Sequence, residues 1–112
     1  MAGTGFLNIM IASNGYLVSL RHLRYFLAVT ETSSFTGAAR RLGLSQPAIS
    51  MQMRQLENHL GTSLFRRCGK RLSLTPAGLI FQERAALVVS QLDSLFQRLL
   101  KKPGHTKEFS RR

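Results

Sequence analysis

Cysteine and acidic side chains are scarce in this chain of 112 residues. The single cysteine, Cys68, excludes a disulfide within the chain and suits a reducing cytoplasm. The three histidines are scattered without a cysteine partner set, so no metal site is predicted. There is no glycine-rich phosphate loop and no nucleophile elbow. We therefore expect no cofactor and no enzymatic activity, because no nucleophile, base and orienting group are assembled.

Long apolar runs are also missing. Asn8, Asn14 and Gly15 interrupt the stretch from Phe6 to Leu20, which lacks the basic start of a signal peptide. No segment reaches the roughly 18 uninterrupted apolar residues of a membrane span. We expect a cytoplasmic protein without a membrane partner.

The shortage of acids leaves a strong positive charge. Lys and Arg total 16 and Asp and Glu total 5, which gives a net charge of +11. From Phe35 to Thr75 the only acid is Glu57, and the cations are Arg40, Arg41, Arg54, Arg66, Arg67, Lys70 and Arg71. Such a cluster is typical of a protein that binds a polyanion. A solvated basic surface or a membrane-facing patch is the alternative.

Residues 35–54 have the pattern of a helix-turn-helix. Thr36 is predicted to cap a short helix over Gly37–Leu42, and Gly43 to end it. Ser45 is predicted to cap a second helix to about Leu60, with Pro47 in its first turn and Gly61 at its end. Ile49, Met53, Leu56 and Leu60 form its buried stripe. A different face carries groups suited to base-pair edges, on Gln46, Pro47, Ser50, Met51 and Arg54.

Three further elements surround this pair of helices. A first helix is predicted from Ser19, as cap, to about Thr32. Two short strands around Gly69 form a hairpin, or wing, that carries Arg66, Arg67, Lys70 and Arg71. Together with Thr36, Arg40 and Ser45, these wing residues are our candidates for contacts with a phosphate backbone.

The last helix is predicted from Pro76 to about Lys101, with Thr75 as cap. Its apolar residues repeat at intervals of four and three, as in a heptad seam, and are Phe81, Ala85, Val88, Leu92, Leu95 and Leu99. We favour a homodimer through this seam, since beyond Val88 the helix is expected to extend past its own domain. Packing of the stripe back onto the domain, which Leu79 and Phe81 could provide, is the alternative.

The ends of the chain carry weaker patterns. Residues 1–17 are interpreted as a disordered tail, or as sequence upstream of a true start at Val18. Residues 102–112 are interpreted as a disordered basic tail. The resulting division is 1–17, the DNA-binding domain 18–75, the last helix 76–101 and the tail 102–112.

The motifs resemble one family in order and spacing. They are LRHLRYF at 20–26, SFT at 34–36, AA at 38–39, LSQPAIS at 44–50, QLE at 55–57, LG at 60–61, LFRR at 64–67 and LTPAG at 74–78. Over roughly 18–99 the chain closely resembles the N-terminal winged helix-turn-helix and linker helix of LysR-type transcriptional regulators. The fold class expected is therefore mainly α: three helices, a two-stranded wing and a long dimerisation helix.

The resemblance implies a bacterial transcription regulator that binds pseudo-palindromic promoter DNA as a dimer, with RNA polymerase as a further candidate partner. It assigns base contacts to the positions of Gln46, Pro47, Ser50 and Met51 and a wing contact to Lys70. Met51 stands where members often carry arginine, and a methionine cannot make a bidentate bond to guanine.

The family's C-terminal effector-binding domain has no counterpart after Lys102, where no strand–helix alternation follows. We therefore expect a truncated regulator without an inducer site. The alternatives are a dimerisation module that pairs with a full-length relative and interferes with it, and a non-functional frameshift remnant.

Overall fold

A computed structural model of the chain describes residues 9–11 and 17–100. The elements, in chain order, are β1 (Ile9–Ile11), β2 (Leu17–Ser19), α1 (Leu20–Thr32), α2 (Phe35–Leu42), α3 (Gln46–Leu60), β3 (Phe65–Cys68), β4 (Arg71–Leu74) and α4 (Pro76–Leu100). The predicted class is confirmed: the fold is mainly helical, with a winged helix-turn-helix followed by a long helix.

Helix α1 begins at the predicted cap. The Ser19 hydroxyl accepts the backbone N–H of His22 at 3.1 Å, and His22 Nδ1 accepts the N–H of Ser19 at 3.1 Å. This reciprocal pair satisfies two N–H groups that a helix start would otherwise leave without partners. Ser33, with a left-handed φ of 56°, follows the helix end.

Helix α2 begins earlier than predicted. Its cap is Ser34, whose Oγ accepts the N–H of Gly37 at 2.7 Å, whereas Thr36 lies inside the helix and is exposed. The assignment of Thr36 as cap, and of Gly37 as first residue, was wrong. Ser34 has the extended backbone that a cap needs, with its hydroxyl three residues before the N–H that it binds.

Helix α3 has both predicted ends. Ser45 Oγ accepts the N–H of Ala48 at 3.2 Å, and Gly61 ends the helix at a φ of 73°. Ile49, Met53 and Leu56 are buried, as the spacing predicts, and Leu60, the fourth residue of the predicted stripe, is half-buried against the core. Burial of this stripe fixes which face of α3 is left for a partner.

The wing is an antiparallel pair in which Phe65 lies opposite Leu74 and Cys68 opposite Arg71. Gly69 has a φ of 64° in the turn, a conformation that glycine adopts without steric cost. The base of the wing is apolar and its tip is basic. The N–H of Leu72, opposite Arg67, donates to the carbonyl of Ser33 at 3.1 Å, so β4 is also tied to the end of α1.

A row of aromatic rings forms the centre of the core. Phe26 of α1 contacts Phe65 of β3 and Phe81 of α4 at centroid distances of 5.2 and 5.0 Å. Phe35 of α2 meets Phe65 on its other side at 5.9 Å. The row therefore joins α2, the wing, α1 and α4.

Helix α4 packs further along α1 than expected. Arg24 of α1 donates to Asp93 at 2.8 Å, and Leu20 lines an apolar groove with Leu92 and Leu95. The expectation that the helix leaves its own domain beyond Val88 was wrong, because the N-terminal turns of α1 lie beside these later turns of α4. The described helix ends at Leu100, and Lys101 lies outside the described residues.

The predicted tails lie mostly outside the described residues. Within 1–17, however, residues Ile9–Ile11 pair with Leu17–Ser19, with Ile9 opposite Ser19. These three residues are not the unstructured tail expected, and the isoleucines favour an extended backbone. Residues 102–112 are not described, and the start at Val18 stays a prediction.

Candidate nucleic-acid interface

The free face of α3 holds the predicted base-reading residues. Gln46, Pro47, Met51 and Arg54 are exposed, and Ser50 is half-buried. Pro47 lies in the first turn, where a missing N–H costs no hydrogen bond. The first turns thus present an amide, a hydroxyl, a thioether and, one turn later, a guanidinium.

Three predicted backbone contacts lie on α2 and at the cap of α3. Thr36 and Arg40 are exposed on α2, and Ser45 is exposed at the α3 cap. Ser45 Oγ already accepts from Ala48, which leaves its O–H free to donate to an outside acceptor such as a phosphate oxygen.

The wing brings four cations together. Arg66 and Arg67 lie on β3, Arg71 lies on β4 and Lys70 lies in the turn between them, and all four are exposed. Across residues 18–100, the ion pairs engage Arg24 with Asp93 and Arg41 with Glu31, and none involves a wing cation. The wing charge is therefore not neutralised by an acid of the described part of the chain.

Glu57, the lone acid of the basic segment, turns towards backbone rather than towards a cation. Its Oε2 accepts the N–H of Leu64 at 2.7 Å and that of Phe65 at 3.2 Å. Sequence reasoning did not find this role. The signal available was the isolation of one carboxylate among seven cations.

His22 is a second feature that the sequence did not reveal. Its ring lies 6.3 Å from that of His59 on α3, centroid to centroid, and its own side chain is buried. Nδ1 accepts an N–H, so the neutral ring carries its proton on Nε2. Burial lowers the pKa of His22, the neighbouring charges of His59 and Arg21 lower it further, and Gln55 partly opposes them.

The predicted seam on α4 divides between two faces. Phe81 packs against the core and Ala85 is buried, so these two residues belong to the chain's own interior. Leu92 is half-buried, whereas Val88, Leu95 and Leu99 are exposed. Leu87 and Phe96, which the heptad pattern omitted, are exposed beside them and line the same groove as Leu20 and Leu95.

Two other kinds of site have no counterpart in the described residues. The part of the chain at 9–11 and 17–100 contains no group of three His, Cys, Asp or Glu side chains suited to a metal ion. No helix in these ranges is long and apolar enough to cross a bilayer.

The architecture, with an exposed polar face on α3 and a basic wing, is that of a winged helix-turn-helix protein. The sequence model of the family described as bacterial regulatory helix-turn-helix proteins, lysR family, matches residues 20–79. The chain belongs to the lysR family.

Relatives agree with this assignment. The chain is 61% identical over 61 residues to the RuBisCO operon transcriptional regulator of Allochromatium vinosum, covering 54% of this chain and 20% of that protein. It is 43% identical over 81 residues to the regulator BudR of Klebsiella aerogenes, covering 72% of this chain and 57% of that protein. The chain thus spans between a fifth and three fifths of these relatives. Both are named as regulators, in agreement with the prediction that the chain is not an enzyme.

Solved structures share the fold at useful identity. The DNA-binding domain of BenM, in complex with catB site 1 DNA, is 41% identical with a TM-score of 0.70, over 72% of this chain and 90% of that one. The DNA-binding domain of CbnR, also in a DNA complex, is 38% identical with a TM-score of 0.68, over 72% and 93%. Full-length BenM matches at 40% identity and a TM-score of 0.69, over 76% of this chain and 28% of that one.

Proposed function

We propose that this chain binds double-stranded promoter DNA as a homodimer and regulates transcription in a bacterial cytoplasm. One observation carries the proposal: α3 exposes polar side chains, and the wing that follows it exposes four cations that have no acidic partner in residues 18–100. A phosphate backbone supplies the missing counter-charges, and base-pair edges in the major groove suit the polar face. The two similar DNA-binding domains solved on DNA support the same partner.

Within this proposal α3 lies in the major groove and reads bases. Gln46 recognises an adenine edge through its amide, and Ser50 accepts or donates one hydrogen bond. Arg54 binds guanine or a nearby phosphate. Met51 packs on a thymine methyl, since its thioether has no donor for guanine.

The backbone contacts set the register of the protein on the duplex. Thr36, Arg40 and Ser45 bind phosphates at one edge of the groove, and Arg66, Arg67, Lys70 and Arg71 follow the strand or enter the neighbouring minor groove. These contacts provide affinity on any sequence, whereas the side chains on α3 provide the choice of site.

The exposed apolar side of α4 forms the homodimer. Leu87, Val88, Leu95 and Phe96 are each at least two-fifths exposed, and contiguous apolar surface of this kind favours association. A two-fold dimer would set two α3 helices about one DNA turn apart, or a multiple of it, which suits a palindromic site.

Iterative selection from a pool of random duplexes tests the proposal. We expect enrichment of a two-fold symmetric sequence with half-sites separated by whole helical turns. A pool that stays random, with equal affinity for every duplex, would contradict sequence-specific binding.

A second candidate function rests on the same apolar side of α4. The chain could pair with another regulator of the lysR family through Val88 and Leu95 and form mixed oligomers that bind DNA poorly. Purified alone, such a module would dimerise but enrich no sequence in the selection, so one experiment separates the two functions.

A further inference from the structure

Glu57 is an acidic residue within the basic segment that is proposed to bind DNA. It is the only acid between Phe35 and Thr75, and a carboxylate facing phosphates would oppose binding. Its half-buried side chain instead accepts the N–H groups of Leu64 and Phe65, at 2.7 and 3.2 Å. A single oxygen of α3 therefore holds the first two peptide units that lead into β3.

Backbone bonds from the end of α3 reinforce this arrangement. The carbonyl of Glu57 accepts the N–H of Gly61 at 2.8 Å and that of Thr62 at 3.2 Å. The main chain and side chain of one residue thus bind the connection from α3 to the wing at both its start and its end.

The carbonyl side of Leu64 is bound by Thr75, the residue that precedes α4. Its carbonyl accepts the N–H of Thr75 at 3.0 Å, and the Thr75 hydroxyl donates to the carbonyl of Ser63 at 2.7 Å. The same hydroxyl accepts the N–H of Gly78 at 3.0 Å in the first turn of α4. Leu64 is itself buried at 1% exposure, so its backbone cannot turn to other partners.

We propose that Glu57 is a positioning residue of the wing: its carboxylate fixes the direction of β3 relative to the recognition helix, while the bond from the Leu72 N–H to the Ser33 carbonyl ties β4 to the end of α1. Charge-assisted bonds to backbone N–H groups are short and directional, so an oxygen at this point sets an angle as well as a distance. The four cations at the wing tip lie beyond this junction, and a change of angle at the base displaces them from the phosphates. The proposal deepens the DNA-binding function above and, for its DNA arm only, rests on it.

Cys68 supplies a reporter that needs no added residue. It is the only cysteine of the chain, it is exposed, and it is the last residue of β3. A nitroxide attached to Cys68 reports the mobility of the wing in the free protein. This measurement is independent of DNA binding.

Three variants separate reach from charge at position 57. Glu57→Ala removes the acceptor, Glu57→Asp keeps the charge but withdraws the oxygen by one methylene, and Glu57→Gln keeps an oxygen at the same reach without the charge. The matched control is Glu31→Ala, which removes another hydrogen-bonded carboxylate, one that pairs with Arg41 away from the wing.

We expect a more mobile nitroxide in Glu57→Ala and Glu57→Asp, and spectra close to that of the unchanged protein in Glu57→Gln and in the control. We also expect the log–log salt slope of DNA binding to become shallower in Glu57→Ala and Glu57→Asp, by about 1 for each phosphate that the wing no longer reaches. The preference for the selected site over random DNA, which α3 provides, should change by no more than about threefold, well under the effect of one base-reading side chain.

Wild-type spectra in both Glu57→Ala and Glu57→Asp would overturn the proposal, as would a Glu57→Gln wing as mobile as that of Glu57→Ala. If Glu57→Ala gives no cooperative melting, Glu57→Asp decides alone. A mobile wing in a protein that binds no DNA in any form would support the positioning role of Glu57 and overturn the proposed function, so the two failures are distinguishable.

Discussion

The carbonyl oxygen of Leu64 lies 2.2 Å from the point where a Cβ on Gly78 would stand. A carbon and an oxygen that are not bonded cannot approach this closely. The oxygen belongs to a residue whose N–H binds Glu57 and whose carbonyl binds the N–H of Thr75. Gly78 is therefore required for close approach between α4 and the connection that leads into the wing, although the glycine lies inside a helix.

Gly78→Ala should destabilise the protein, although an alanine in a helix normally stabilises it by up to about 1 kcal/mol. We expect a loss of about 1–3 kcal/mol from overpacking, measured by urea unfolding at fixed protein concentration. Ser90→Ala, at an exposed position of the same helix, is the control and should change stability by no more than about 0.5 kcal/mol. A Gly78→Ala protein as stable as the parent would mean that Leu64 can move away at little cost.

DNA binding should depend strongly on salt. With about four phosphate contacts per protomer, the dimer should show a log–log slope of about −7. Fluorescence anisotropy with a labelled duplex at several salt concentrations measures this slope. An affinity that hardly changes between low and moderate salt would remove the electrostatic part of the proposed function.

Gln46 and Arg71 should affect binding in different ways. Gln46→Ala should cost about 1–3 kcal/mol at the preferred site and little on random DNA. Arg71→Ala should weaken both about equally, because a phosphate contact carries no sequence information. Competition between the two duplexes measures the difference, and an unchanged site preference in Gln46→Ala would contradict the placement of α3 in the major groove.

Stability should fall in mild acid because of His22. Its pKa in the folded state lies below the ordinary value of about 6.5, chiefly through burial, so the unfolded chain takes up a proton first as the pH falls. The stability is complete above about pH 6.5 and decreases below it, towards the folded pKa, by at most about 1.4 kcal/mol per pH unit.

Urea unfolding from pH 7.5 to 5 measures this effect. His22→Gln should flatten the profile, whereas His59→Gln, which changes the exposed neighbour, should keep most of it. A parent protein whose stability does not change across this range would contradict the burial of a neutral imidazole.

Leu95→Asp should convert the dimer to monomers. Leu95 is half exposed on α4, and burying a leucine there contributes about 1.5–3 kcal/mol per side chain, part of which offsets the entropy of association. Ser94→Asp introduces the same charge at the neighbouring exposed residue and should leave more of the dimer intact. Sedimentation at micromolar concentrations checks both, and a parent protein that sediments as a monomer would overturn the dimer.

Local chemistry determined which parts of this fold could be predicted. Ser19 and Ser45 as caps, and Gly43, Gly61 and Gly69 as left-handed residues, follow from the residue itself and its close neighbours, and the structure confirms them. The α2 cap failed because Ser34 and Thr36 both carry suitable hydroxyls, and only the path of the chain decides between them.

Contacts between distant segments could not be predicted. A heptad pattern cannot tell whether a residue faces its own core or a partner, and so Ala85 was assigned to the seam although it is buried within the chain. Glu57 lies in the fourth turn of α3, and the two N–H groups that its carboxylate accepts belong to Leu64 and Phe65, beyond the end of that helix. The assignment of particular α3 side chains to contacts with DNA stays a prediction.

The row of rings from Phe35 to Phe81 has a mechanical consequence. Phe26 contacts both Phe65 of the wing and Phe81 of α4. The winged helix-turn-helix is therefore packed directly against the long helix. Two winged helix-turn-helix domains joined through α4 would keep a fixed distance and orientation. A site with imperfect spacing would then be accommodated by bending the duplex, and its affinity would depend on the stiffness of the bases between the half-sites.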